Sequence, residues 1–165
     1  MGEWLSVLPL PRYVPQHGPM VAVWSALPSA AVVGANRVNL DQRAFGQALR
    51  LFICNIARAK LRQFIHWALS GEFCSCDRSI DYRANLGRVT APALLIAGAA
   101  DRFASPDTVR FAYDHLGSEQ KEYREFAARL GDTADYGHVD LIFGRHAPEE
   151  VFSPVGAWIE ATSRR

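Results

Sequence analysis

Two residues of this chain, an aspartate and a histidine, have surroundings that suit acid–base chemistry. His138 lies in YGHVDLIFG, residues 136–144, and Asp101 ends VTAPALLIAGAAD, residues 89–101. A carboxylate that hydrogen-bonds to an imidazole fixes its tautomer and stabilises the imidazolium, so that the histidine can act as a general base. The plain alternative is a turn aspartate that accepts from backbone amides, and an ordinary loop histidine.

The segments around Asp101 predict a strand, a short loop and a helix. The apolar run before Asp101 is too short for a typical helix and apolar on both faces, which favours a parallel strand around 94–96 that is buried on both sides. SPDTVRFAYDHLG then predicts a helix with Ser105 as N-cap, Pro106 at its first position and Gly117 as its stop.

A second strand is predicted around 123–126, although the charges of KEYREFAARLG leave a helix open as an alternative. Pro148 begins a last helix, whose inward residues are predicted to be Val151, Val155, Trp158 and Ile159. A strand, helix and strand in this order predict an α/β fold with parallel strands flanked by helices. The loops after parallel strands meet at one edge of the sheet, so we expect Asp101 and His138 to come into contact.

Two amphipathic helices are predicted upstream of this unit. Phe45, Leu49, Phe52, Ile53 and Ile56 recur at intervals of three and four, and Asn39 or Asp41 can cap that helix. The second stripe consists of Leu61, Phe64, Ile65, Ala68 and Leu69, and Gly71 is expected as the left-handed residue after it. Together these helices predict a hairpin, with His66 at its surface or between its helices. Residues 1–38 are rich in proline and glycine and predict an irregular lead-in.

Composition excludes several classes of function. Eighteen basic and seventeen acidic residues give a formal charge of +1 without a long basic run, so a nucleic-acid partner is not expected. No apolar run reaches the ~20 residues of a membrane span, and the N-terminus lacks a basic signal region, so we expect a cytoplasmic protein. Cys74-x-Cys76 resembles half of a zinc site, but no second Cys/His pair follows it. The sequence therefore predicts no metal site, and it indicates no cofactor.

From about residue 89 to 160 the chain resembles the C-terminal half of the α/β-hydrolases, on the strength of PALLIAGAADRFASPD, YGHVDLIFG and APEEVFSPVGAWIE. The resemblance implies that Asp101 is the acid of a catalytic triad and His138 its base, supported by Tyr136, Gly137 and Asp140. Asp140 either bonds backbone amides of the histidine loop or faces solvent. An acid that precedes the histidine agrees with the chain order of that family.

The resemblance also implies a domain plan and a substrate. Residues 39–88 would form a helical cap and residues 89–165 a partial hydrolase core. The aromatic residues of the cap would either line an apolar acyl pocket or simply pack against the core; they are Phe45, Phe52, Phe64 and Trp67. The expected substrate is a small-molecule or lipid-like ester.

The chain departs from this family at the nucleophile. No serine lies in a G-x-S-x-G elbow, and Ser70–Gly71, the nearest match, falls at a predicted helix end. The sequence therefore predicts part of a serine hydrolase, and this part is predicted to be inactive by itself. The N-terminal half of that hydrolase would carry the nucleophile and is an expected partner. A non-catalytic interaction module and a relative with an aspartate nucleophile, of the dehalogenase or epoxide-hydrolase kind, are the alternatives.

Overall fold

The structure is a computed structural model that describes residues 13–14, 34–36, 38–52 and 56–163, of which 13–14, 49–52 and 56 are described by their backbone alone. Most of the predicted lead-in, together with Ile53 and Cys54, lies outside the described residues. The elements in chain order are β1 (Tyr13–Val14), α1 (Gln42–Phe52), β2 (Ile56–Ala57), α2 (Arg58–Ser70), β3 (Ala93–Gly98), α3 (Pro106–His115), β4 (Lys121–Phe126), α4 (Asp140–Phe143) and α5 (Ser153–Ser163).

The predicted strand, helix and strand are confirmed. β3 and β4 are parallel, with Ala93 opposite Lys121 and Gly98 opposite Phe126, and α3 connects them. Ser105 caps α3 as expected, since its side chain accepts a hydrogen bond from the Thr108 amide. The described chain is thus a mixed α/β structure in which a two-stranded parallel sheet is flanked by helices.

Burial of β3 on both faces is not what the structure shows. Only Ala97 and Gly98 are buried, and the first four residues of the strand are half-buried. The reason is that β4 is the one strand paired with β3 among the described residues. The β1–β2 pair is separate, antiparallel and two residues long.

α1 begins where the sequence predicts, because Asp41 caps it. The Asp41 carboxylate accepts hydrogen bonds from the amides of Arg43 and Ala44, at 2.9 and 3.0 Å. Ile56 was predicted to extend the apolar stripe of this helix, but it lies in β2. The Phe45 ring lies 5.8 Å from the Phe143 ring, so α1 packs against α4.

α2 also ends where expected, with Gly71 at φ 70° behind it, but the prediction of its buried face is wrong. Phe64 and Leu69 are 57% and 79% exposed. Instead, the Trp67 ring meets the Phe73 ring at 4.8 Å, because the chain turns back at Gly71 and lays residues 73–82 against that side of the helix. Phe45 thus packs against the segment predicted to be core, as the packing alternative proposed, whereas Trp67 packs against Phe73 of its own predicted cap segment.

The main core lies between the end of β4, the segment that carries His138 and the last helix. Its buried members are Phe126, Tyr136, Leu141, Ala147 and Val151, with Ile96 and Val155 packed against them. A π-helical turn, Pro148–Phe152, leads into α5. Ile159 was predicted to face inward but is 51% exposed, because it lies one helical turn beyond Val155 and past the core.

No helix in the described part of the chain has the length and apolar character that a membrane crossing requires.

Gly98 permits the close approach of β3 to the segment before His138. A Cβ atom at this position would lie 2.3 Å from the backbone oxygen of Tyr136. We expect Gly98→Ala to lower the free energy of unfolding by about 1–3 kcal/mol, as measured by urea denaturation, because backbone must shift to make room. Gly156→Ala in α5, where a Cβ meets nothing within 4 Å, is the matched control and should be neutral or stabilising. Equal stability of both variants would contradict this account.

Candidate active site

Asp101 and His138 meet as predicted, just beyond the carboxyl end of β3. Oδ2 of Asp101 lies 2.9 Å from Nδ1 of His138, and the two side chains are 2% and 51% exposed. A carboxylate only accepts, so Nδ1 carries the hydrogen and Nε2 has a free lone pair when the ring is neutral. This arrangement provides a base that is anchored on its buried side and accessible on the other.

Asp101 also has the turn role that was the plain alternative. Its other oxygen, Oδ1, accepts hydrogen bonds from the amides of Phe103 and Ala104, at 2.8 and 2.9 Å. The two roles use different oxygens and therefore do not compete. The hydrogen bonds from the two backbone amides fix the plane of the carboxylate, and in this orientation Oδ2 points at the imidazole.

The histidine loop is joined to the rest of the fold through its backbone. The amide of Ala100, next to Asp101, donates to the Tyr136 oxygen at 2.8 Å, and the His138 amide donates to the Gly34 oxygen at 2.6 Å. Gly137 fits between these bonds because it has no side chain, since a Cβ there would lie 2.0 Å from the Gly34 oxygen. Residue 137 must therefore be glycine for this path of the chain.

Asp140 holds the same loop from within. Its side chain is fully buried, with Oδ1 accepting from the Asn36 amide at 2.9 Å and Oδ2 from Nδ2 of Asn39 at 3.0 Å. The Gly137 amide donates to both oxygens at 3.0 Å. Of the two roles predicted for Asp140, bonding of backbone amides is confirmed, and a solvent-facing role is wrong because donors surround the carboxylate.

Tyr136 is fully buried below the loop, and its hydroxyl donates to Oε2 of Glu150 at 2.7 Å. Burial raises the pKa of Tyr136 well above its usual value, and the acceptor role and charge of Glu150 raise it further. Burial by itself would raise the pKa of Glu150. The hydrogen bonds from Tyr136 and Thr133 outweigh that effect, so the pKa of Glu150 is lowered. Tyr136 is thus a structural neighbour of the histidine, locked as a neutral donor.

Sequence reasoning missed four residues of this site: Gly34, Asn36, Asn39 and Phe103. The first three bind the histidine loop from about a hundred residues upstream, and no local pattern predicts such pairings. The Phe103 ring lies 5.6 Å from the His138 ring and forms an apolar wall beside it. Its position two residues after Asp101 was the one available signal.

A groove of about 640 Å³ on the surface does not belong to this site. It is lined by Thr90, Pro92, Gly117, Glu119 and Gln120, near the amino ends of β3 and β4. Since Asp101 lies past the carboxyl end of β3, this groove opens at the opposite end of the sheet. The candidate site is therefore identified by the pair of Asp101 and His138 and not by the volume of a groove.

Comparison of the chain with protein-family models and with curated proteins gives no match to either.

The burial of Asp140 generates a prediction about stability. Asp140→Asn places an NH₂ group against the amides of Asn36 and Gly137 or against the Asn39 amide group, whichever way the side chain is turned. We expect the free energy of unfolding, measured in urea, to fall by about 2–4 kcal/mol. Asp114→Asn, on the exposed side of α3, should change it by less than about 0.5 kcal/mol. A loss at Asp140 no greater than the control would contradict the assigned bonds.

Glu150 generates a prediction about pH. Its pKa is lower in the folded chain than its ordinary value of 4.5, so the ionised carboxylate stabilises the fold above that value. This contribution is lost as the pH falls from 4.5 through the folded pKa. We expect Glu150→Gln to be about 1 kcal/mol less stable at neutral pH, with a smaller stability loss on acidification than the parent chain. Glu149→Gln, which alters an exposed neighbour, should follow the parent curve.

Proposed function

We propose that Asp101 and His138 are the acid and base of a catalytic triad for acyl transfer, in a hydrolase that acts on esters. The observation that carries this proposal is the 2.9 Å contact between a buried carboxylate oxygen and Nδ1 of a half-exposed imidazole. Such a pair supports base catalysis because the carboxylate stabilises the charge that the ring acquires when it takes a proton.

The position of the pair supports the same function. Functional groups of α/β sheets collect beyond the carboxyl ends of their strands, where loops converge. Asp101 follows β3, and the loop of His138 is tied to the end of β4 by the bond from the Tyr136 amide to the Phe126 oxygen, 3.4 Å long. Backbone bonds hold both side chains, so little reorganisation is needed when a proton moves.

In the proposed reaction, Nε2 of His138 takes the proton of a hydroxyl nucleophile as its oxygen attacks the carbonyl carbon of the ester. The imidazolium, held by Asp101, then gives that proton to the alkoxide as the alcohol leaves. A water molecule attacks the acyl-enzyme, with His138 again accepting and returning the proton. Asp101 keeps its charge throughout and acts as a positioning residue.

The nucleophile is proposed to lie outside this chain. No serine hydroxyl of the described ranges hydrogen-bonds to His138, and the chain contains no G-x-S-x-G elbow. We therefore expect the 165-residue chain to hydrolyse no ester. The resemblance to α/β-hydrolases supports serine as the nucleophile type.

The test uses the protein expressed from the complete reading frame that encodes this chain, assayed with p-nitrophenyl esters. We expect His138→Ala to lower kcat by about 10⁶-fold and Asp101→Asn to lower it by about 10⁴-fold. The matched controls are His115→Ala and Asp114→Asn, because both residues are exposed on α3. They should retain full activity, and circular dichroism should show that all four variants are folded.

Two results would contradict the proposal. The first is hydrolysis at the parent rate by folded His138→Ala, which would favour a non-catalytic role for the pair. The second concerns the place of the nucleophile and comes from a fluorophosphonate probe with mass spectrometry of the 165-residue chain. Labelling of any serine of this chain would show that the nucleophile lies within it.

A further inference from the structure

We propose that His66, Glu72 and Cys74 bind one zinc ion at the end of α2. A ring nitrogen of His66, a carboxylate oxygen of Glu72 and Sγ of Cys74 all lie within 4.8 Å of one another. These residues share no side chain with the site of Asp101 and His138. Nitrogen, sulfur and oxygen donors in one cluster match the ligands that proteins offer to zinc.

The spacing of the donor atoms fits a tetrahedral ion. Nε2 of His66 and Oε2 of Glu72 are 3.4 Å apart. Two ligand atoms that are each about 2.0–2.1 Å from a tetrahedral zinc ion are about 3.3–3.4 Å from one another. The same two atoms need no rearrangement to bind zinc together, and a modest inward movement of the Cys74 sulfur completes the set.

His66 supplies an independent observation. Its Nε2 atom is shielded from solvent but has no hydrogen-bond partner among the described residues. The Glu72 oxygen is within ion-pair distance, yet the two groups are not aligned for a hydrogen bond. A shielded, unpaired ring nitrogen is unfavourable by itself, and coordination to a metal would satisfy it.

The backbone around the three donors is already held in place. Nε1 of Trp67 donates to the Cys74 oxygen at 2.8 Å, and Nε2 of Gln63 donates to the same oxygen at 3.3 Å. Gly71, at φ 70°, reverses the chain so that Glu72 returns toward the helix. His66 and Trp67 are consecutive in α2. The hydrogen bond from Trp67 to the Cys74 oxygen therefore also holds Cys74 close to His66.

The surroundings decide which ion fits and how it is reached. A thiolate and an imidazole favour zinc over magnesium or calcium, which prefer oxygen ligands alone. An open groove of about 440 Å³, lined in part by Glu72, Cys74 and Arg78, leaves room for water as a fourth ligand. Arg78 is the competing cation, with Nε 4.0 Å from Oε2 of Glu72, but its side chain is 68% exposed and free to turn into solvent.

Cys74 and Cys76 were predicted not to form a zinc site, because no second Cys/His pair follows them in the sequence. The structure separates the two cysteines, since Cys74 is buried and Cys76 exposed. The partners of Cys74 precede it, at the end of a helix and in the turn after it. A zinc ion there would join α2 to residues 72–82 and stabilise the folded chain by mass action.

The test uses the reduced, chelator-treated 165-residue chain with Cys54→Ser and Cys76→Ser, in which Cys74 is the remaining thiol. Zinc affinity is measured by competition with a chromophoric chelator, and cobalt(II) replaces zinc for absorption spectroscopy. We expect one ion per chain, a thiolate-to-cobalt charge-transfer band, and a rise in Tm when zinc is added. The intact chain should bind zinc equally well, since neither removed thiol is a ligand.

Variants of the three ligands identify the site. We expect Cys74→Ser and His66→Gln to weaken zinc binding at least about 100-fold. In the intact chain, which keeps Cys54 and Cys76, Cys74→Ser should still abolish the charge-transfer band. Glu72 is exposed, so Glu72→Gln should keep the fold and weaken binding about 10-fold. His115→Gln and Glu119→Gln alter exposed residues elsewhere and should bind as the parent does. Arg78→Ala should bind zinc more tightly, because it removes the competing cation.

Two outcomes would overturn the proposal. One is the absence of saturable binding of zinc and cobalt by the folded chain with Cys74 as its remaining thiol. The other is unchanged affinity in folded Glu72→Gln together with an unchanged charge-transfer band when Cys74→Ser is introduced into the intact chain, which keeps Cys54 and Cys76. Neither outcome affects the proposed role of Asp101 and His138, since the zinc measurements involve no ester hydrolysis.

Discussion

The buried carboxylate of Asp140 is the interaction on which the geometry of the histidine loop depends. Removing an ionised carboxylate from water costs several kcal/mol unless donors replace the lost hydration. Here the amides of Asn36 and Gly137 and the side chain of Asn39 surround it. The fold must therefore bring Asn36 and Asn39 to the loop, or leave a charge buried without partners. Since Gly137 precedes His138 directly, the same hydrogen bonds set the direction from which the histidine leaves the backbone.

Asp101 shows how a turn residue can also orient a base. Its backbone follows β3, one oxygen closes the turn over 101–104, and the other meets His138. Each of these contacts restricts the rotation of the carboxylate. A side chain on a loop can therefore be as well placed as one on a strand. Phe103, held by the same turn, brings an apolar ring beside the imidazole. The turn thus positions the charged and the apolar neighbour of His138 at once.

The sequence predicted those features that a local pattern encodes. The apolar run of β3, the Ser105 cap and the order of strand, helix and strand led directly to the contact between Asp101 and His138. Asn36 and Asn39 could not be found in this way, because polar residues in an irregular segment carry no periodicity that would point to a partner. The predicted burial of the apolar stripe of α2 was wrong for a related reason. An amphipathic pattern shows that a helix has an apolar face, but not which surface covers it.

The difference between local and distant contacts has a consequence for the order in which the chain folds. β3, α3 and β4 form a unit whose paired residues are fewer than thirty positions apart, whereas the Asn36–Asp140 bond closes a loop of 104 residues. Closing a long loop costs more chain entropy, so we expect the sheet unit to form first and Gly34, Asn36 and Asn39 to dock last. The imidazole would then gain its final orientation only in the last step of folding.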